Sequence, residues 1–239
     1  MLGACITFGL LAPVSKSLFG TGLVSAYALT MMRMGGGAVV FWIASLFTRR
    51  EHVPPRDLLL FFFASLLGIV LNQGTYVLGV SKTSPIDASV VTTTTPIFVM
   101  VIAALYLREP ITGKKILGVV VGAAGALLLI LSGAHLVSGR TGSGSVSGDL
   151  LCLFAQLSFA TYFVVFKKLI SRYSPVTLMK WMFLYATACC LPFGYSDLKA
   201  VGWAELGWAD YAQIAYVVLG ATFLVLVDDV CRSIYTTEI

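Results

Sequence analysis

Uncharged apolar stretches recur along this chain at lengths that suit a bilayer. They run Leu58 to Ser81, Ala88 to Leu107, Ile116 to Gly139, Leu150 to Phe166 and Tyr211 to Val227. Several reach about 20 residues, the length a helix needs to cross a hydrocarbon core of roughly 30 Å. The shorter ones span when flanking Lys or Arg side chains snorkel to the interface. A soluble fold of 239 residues cannot hide this much apolar surface, since 58% of the residues are apolar and 11% charged. Soluble domains carry about 25% charged residues. The chain reads as all-α, a polytopic helical membrane protein.

A net charge of +5 raises nucleic acid as a partner. The placement of the charge argues against it. Basic residues punctuate the apolar runs in ones, twos and threes and form no stripe or tail. The five cysteines (Cys5, Cys152, Cys189, Cys190 and Cys231) show no CxxC or Cys/His spacing. Small apolar core residues are the default reading for them. His52 lies in a charged loop and His135 near a helix end, so neither a metal site nor a cofactor is expected. Leu2-Gly3-Ala4-Cys5 faintly resembles a lipoprotein cleavage box, but no basic segment or apolar run precedes it.

Eight helices follow from the apolar periods and their breakers: about Leu2–Phe19, Ser25–Phe47, Asp57–Val80, Ile86–Leu107, Lys114–Leu131, Asp149–Leu169, Pro175–Tyr195 and Tyr211–Val227. Pro54-Pro55 and Pro110 punctuate them, and Ser138 to Gly148 reads as a flexible linker. The loops after the second, fourth and sixth helices hold Arg49, Arg50, Arg56, Arg108, Lys114, Lys115, Lys167, Lys168 and Arg172. The opposite loops hold Lys82, Arg140 and Lys199. The positive-inside rule then sets the N-terminus in the cytoplasm of a multi-pass inner (plasma) membrane protein.

Five helices before the linker is an odd number, so a related block after it must enter the membrane upside down. Weak echoes support such a repeat. Gly3-Ala4 and Lys16 bracket the first helix as Gly148-Asp149 and Lys167-Lys168 bracket the sixth. Leu66-Leu67-Gly68 is matched by Val218-Leu219-Gly220. Inverted repeats of this kind build many transporters.

From roughly Gly3 to Phe223 the chain resembles the EamA-type branch of the drug/metabolite transporter superfamily. The resemblance rests on Lys16, Arg33, the run Ser84-Pro85-Ile86-Asp87-Ala88-Ser89, Thr95-Pro96, Leu107-Arg108-Glu109-Pro110-Ile111-Thr112 and Gly118 through Leu128. It implies a permease of ten helices in two inverted five-helix repeats, with small-metabolite transport that is often export. This chain departs from that pattern. Residues 1–132 form the first repeat and 133–148 the Gly/Ser-rich outer linker. Residues 149–227 leave room for three helices of an incomplete second repeat, about eight of ten in all, and 228–239 form a polar tail without a family counterpart. A truncated or frame-shifted reading of a longer gene is one explanation, and a natural short form the other. The short form is expected not to transport unless a homodimer covers the gap.

Lys16 and Arg33 are basic residues inside apolar helices. A charge at the bilayer centre costs at least about 2.5–3.5 kcal/mol on insertion scales. They either attract an anionic or carboxylate-bearing substrate, or serve as a snorkelling Lys and a structural Arg. Asn72, Gln73, Tyr76, Gln156 and Tyr162 lie mid-helix and must point inward, toward neighbouring helices or toward substrate. Thr92 to Thr95 precede Pro96, whose missing N–H strands the Thr92 carbonyl. Threonine hydroxyls can re-satisfy it. Thr93 and Thr94 join the candidate substrate-binding set on that account. Gly118, Gly122, Gly125 and Ala126 put small residues on one side of the fifth helix, for packing within the bundle or in a dimer.

The helix middles contain no Asp or Glu, with Asp87 and Asp149 at outer ends. That weakens, without excluding, a proton-coupled mechanism. No GxxxxGK[ST] loop for nucleotide hydrolysis is present. A secondary transporter of a small polar metabolite, an amino acid or related compound, is the leading reading. A membrane enzyme at the lipid interface is the rival. It would need a cluster of His, Asp or Glu, and Glu51-His52 is too thin for one.

The charge asymmetry makes the topology testable. On a background stripped of native cysteines, a Cys at Arg56 should resist an impermeant thiol reagent in intact cells, while one at Ser143 should label. The reverse pattern would invert the orientation.

Overall fold

The computed structural model describes residues 2–48, 51–107 and 145–224, with scattered positions between 113 and 128. Most of the linker, the tail after residue 224, and Arg49, Arg50, Arg108, Lys114, Lys115 and Arg140 lie outside the described residues. Ten helices are α1 (Leu2–Gly20), α2 (Ala26–Ala44), α3 (Pro55–Ser65), α4 (Asn72–Lys82), α5 (Pro85–Thr92), α6 (Thr95–Leu107), α7 (Val146–Val165), α8 (Lys167–Ile170), α9 (Pro175–Ala200) and α10 (Trp208–Ala215). The described residues at 113–128 are also helical. Two π-helical segments, Leu66–Leu71 and Tyr216–Leu224, continue α3 and α10. No strand occurs among the described residues.

Among the described residues five segments are long and apolar enough to cross a membrane: Ala26–Ala44, Pro55–Lys82, Asp87–Leu107, Val146–Val165 and Pro175–Ala200. Large apolar side chains are left bare on the helix surfaces, among them Phe47, Leu105 and Phe193 at 75–86% exposure. A soluble protein would bury such groups, whereas hydrocarbon solvates them at no cost.

The helix starts follow simple rules. Ser25, Ser84 and Ser174 are N-caps whose hydroxyls accept from the N–H three residues on. Ser84 and Ser174 are followed by Pro85 and Pro175, which lose no bond at the first helical position. The one long helix expected over Ile86–Leu107 is broken at Thr93–Thr94 into α5 and α6. The seventh helix runs five residues past its expected end at Tyr195, to Ala200. The sixth begins at Val146, inside the stretch read as linker.

The chain divides into two compact units, residues 1–66 with 169–239 and residues 67–168. In the first unit α2 packs along α9 and against the π segment after α10. The contact depends on glycine: a Cβ on Gly37 would lie 2.6 Å from the Phe183 ring, and one on Gly36 2.1 Å from Val218. The rings of Phe41 and Phe183 meet at 5.2 Å. Ser65 Oγ donates to the Met182 carbonyl at 2.6 Å, joining α3 to α9.

Polar groups tie both ends of this unit. Asp57 is buried and accepts from Arg172 Nη1 at 3.0 Å and from the Tyr173 hydroxyl. The hydrogen bond and charge of Asp57 hold the Arg172 guanidinium further up, and burial followed by Asp57 raises the Tyr173 phenol. Glu51 accepts from Ser174 N and Oγ at 3.1–3.2 Å. The loop after α2 and the loop before α9 therefore share one end, as the positive-inside reading requires. At the other end Ser25 Oγ donates to Asp197 at 2.7 Å.

In the second unit α7 is the axis against which α4, α5 and α6 pack. A Cβ on Gly79 would lie 2.5 Å from Cys152 Sγ and 2.9 Å from the Gly148 carbonyl. Thr83 donates to Asp149, and both are buried. Of the three glycines expected to line the fifth helix, only Gly122 closes on a neighbour, Ile97, while Gly118 and Gly125 face open space.

Gly79→Ala should destabilise the detergent-purified chain by about 1–3 kcal/mol, because a backbone carbonyl cannot move aside as a side-chain tip can. A Cβ on Gly74, in the same helix, would meet nothing within 4 Å. Gly74→Ala should be neutral or stabilise by up to about 1 kcal/mol through helix propensity. Paired thermal melts check the contrast, and equal shifts would remove close packing as the reason for Gly79.

Candidate functional site

The residues singled out from sequence fall in both units, Lys16 and Arg33 in the first and the other seven in the second. Arg33 sits midway along α2 and is 4% exposed. Its helix has no acidic side chain in its first turn and no basic one in its last. A guanidinium keeps its charge at any accessible pH. The apolar span therefore encloses a permanently charged side chain. Lys16 is half-buried one turn before the end of α1.

In the second unit the polar groups converge on α7. Asn72 Nδ2 donates to the Ala155 carbonyl at 2.9 Å. Ser158 Oγ donates back to the Leu67 carbonyl at 2.7 Å. This second bond lands inside the π segment, where the ordinary helical ladder is displaced. Gln156 is buried and meets Thr95 Oγ1 at 2.7 Å. Tyr162 is buried with its ring over Gly68, where a Cβ would lie 2.8 Å away. Tyr76 is buried on α4.

The threonine run behaves as the missing proline N–H demands. Thr95 Oγ1 lies 2.8 Å from the stranded Thr92 carbonyl and 2.7 Å from the Gln156 side-chain oxygen position. A hydroxyl has one hydrogen and two lone pairs. Both contacts are satisfied when the Gln156 amide is turned to donate through its NH2 while Thr95 donates to Thr92. Thr92, Thr93 and Thr94 donate to the carbonyls of Ala88, Val90 and Val91 at 2.6–2.7 Å. Thr94 is buried and Thr93 exposed, so the two candidates face different surroundings.

Gln73 differs from its neighbours. Its Oε1 is buried and has no hydrogen-bond donor among the described residues. An amide oxygen shut away from water without a donor costs roughly 1–3 kcal/mol. Among the described residues no group of three His, Cys, Asp or Glu side chains is placed to hold a metal ion.

Sequence reasoning missed Ser158, and it took Thr95 only as part of the threonine run before Pro96. One signal was available. Gly148, Cys152, Ala155, Ser158 and Tyr162 recur at three- and four-residue steps, which marks a single helix face of small and polar groups. It also missed the Asp57–Arg172–Tyr173 cluster, because Arg172 and Tyr173 lie 115 and 116 residues from Asp57.

Residues 1–131 and 146–227 match the EamA-like transporter family. An uncharacterised transporter of Archaeoglobus fulgidus is 24% identical over 202 residues, covering 84% of this chain and 69% of that protein. The uncharacterised transporter YetK of Bacillus subtilis is 22% identical over 169 residues, covering 71% of this chain and 51% of that one. WAT1-related protein At5g07050 of Arabidopsis thaliana is 27% identical over 192 residues, covering 67% and 48%. The chain thus spans about half the length of two of these relatives. With apolar spans that leave hydrophobic side chains bare, and a family match over both halves, this chain belongs to the EamA-like transporter family and is a multi-pass membrane protein.

Proposed function

We propose that this transporter moves a small polar metabolite carrying an acidic group, an amino acid or a close relative, by alternating access. The observation that carries the reading is Arg33, a permanent cation 4% exposed within an apolar span. A buried charge in a membrane helix marks a pathway by default, since lipid would otherwise exclude it. A carboxylate is its natural counterpart, and Arg holds one through two parallel hydrogen bonds. Asn72, Tyr76, Thr93, Thr94, Gln156, Tyr162 and Lys16 remain candidates for shaping the path. Those already bonded to neighbouring helices would act by exchanging partners.

Export from the cytoplasm across the inner membrane, with the N-terminus inside, is the direction this reading takes. The basic loops support the orientation. The two π segments support the repeat. Leu66-Leu67-Gly68 and Val218-Leu219-Gly220 pair on sequence, and both lie in that rare geometry. A carrier built on repeats needs matched elements that change shape, and π turns are frequent at such places.

The test is transport in reconstituted vesicles. Arg33→Ala should lower uptake of an acidic or zwitterionic substrate by a hundredfold or more while membrane abundance stays near wild type; the loss of a charge-assisted bond of about 3 kcal/mol sets that scale. Arg33→Lys should restore part of it. Gln73→Ala should change substrate preference more mildly. Loss of the protein from the membrane in both Arg33 variants would make Arg33 a structural residue. Unchanged transport in all three would remove these residues from the path.

A further inference from the structure

One end of the first unit carries a cation that its own acids do not neutralise. Lys180 lies on α9, five residues past Pro175, about 7.5 Å along the axis at 1.5 Å per residue. Its Nζ sits 5.6 Å from the centroid of the Trp42 ring. Trp42 is two residues before the end of α2 and 41% exposed. Trp181 meets it edge-on at 5.7 Å, and Tyr185 stacks on Trp181 at 6.3 Å. The two described carboxylates at this end are already engaged, Asp57 with Arg172 and Tyr173 and Glu51 with Ser174. Among the described residues no acid forms an ion pair with Lys180.

The position sets what can complete it. Both helices are membrane spans, and the contact lies within two turns of their ends. That is the depth of the boundary between acyl chains and headgroups, where Trp prefers to sit and where Lys extends its amine toward phosphate. The exposed ring faces whatever surrounds the protein, and a protein in a bilayer is surrounded by lipid.

We propose that Lys180, held over the Trp42 ring, binds the phosphate of an anionic phospholipid and retains it in preference to a zwitterionic one. The amine supplies the charge, and the exposed Trp42 indole, buttressed edge-on by Trp181, supplies apolar surface for the glycerol and upper acyl chain. A zwitterionic headgroup brings its own cation against Lys180 and loses the advantage. Lys199, 4.6 Å over the Tyr195 ring at the far end of α9, offers a contrast. It is exposed and lies at the opposite end of the helix, away from the Trp42 ring.

The full chain, purified in mild detergent and mixed with equimolar phosphatidylglycerol and phosphatidylcholine, tests this by native mass spectrometry of the retained lipid. Wild type should favour phosphatidylglycerol about fivefold, the weight of one basic residue near an anionic surface. Lys180→Gln should bring the two lipids to parity, Lys180→Arg should keep the preference, and Lys199→Gln should leave it unchanged. Helical circular dichroism of each variant separates lost binding from lost folding, and the arginine variant carries the test if the glutamine variant unfolds. Parity in the wild type, a preference that survives Lys180→Gln in folded protein, or an equal loss on Lys199→Gln would overturn the proposal.

Discussion

Within hydrocarbon every polar group must find its partner inside the protein, and the pairing across α7 meets that demand for Asn72 and Ser158 in the second unit. Asn72 reaches the Ala155 carbonyl while Ser158 reaches the Leu67 carbonyl, so each of two helices donates once to the other. Gly79, Gly148 and Gly68 let the backbones and the Tyr162 ring come close enough for those bonds to form. The π segment at Leu66–Leu71 turns the ladder so that the Leu67 carbonyl is within reach of Ser158. Each feature depends on the others. Removing the small residues would separate the helices and strand the amide and the hydroxyl together.

The first unit uses the same logic with larger groups. Gly36 and Gly37 bring α2 against Val218 and Phe183, and the aromatic rings of Phe41 and Phe183 fill the seam. Its ends are tied by charged groups, where water and headgroups lessen the cost of desolvation. Asp57 and Glu51 at one end and Asp197 at the other each bond a residue far away in sequence. Arg33 stands apart as a charge held inside the span instead of at its end.

Both units carry a π segment at sites that sequence alone pairs. A π turn weakens regular helical hydrogen bonding and leaves carbonyls to be met by other groups. Leu66-Leu67-Gly68 and Val218-Leu219-Gly220 both lie in such segments. The compact units do not coincide with the two sequence blocks, for α9 and α10 of the second block share a unit with α1 and α2 of the first.

The solvent was legible in the residues alone. Run lengths and sparse charge require a bilayer, and the order of motifs from Lys16 to Leu128 identified the family. The proline break at Pro96 was equally legible, because a missing N–H is a local fact, and the threonines around it mend the carbonyl locally. Which polar residues are committed to packing and which remain available was settled only by the assembled helices. Asn72 and Gln73 are adjacent and chemically alike, yet one is bonded to Ala155 and the other keeps a buried oxygen without a donor among the described residues. Adjacent helical positions point about 100° apart, so their fates depend on what each direction meets. That is a property of helices brought together from distant parts of the chain, as are the Asp57–Arg172 pair and the Trp42 ring under Lys180.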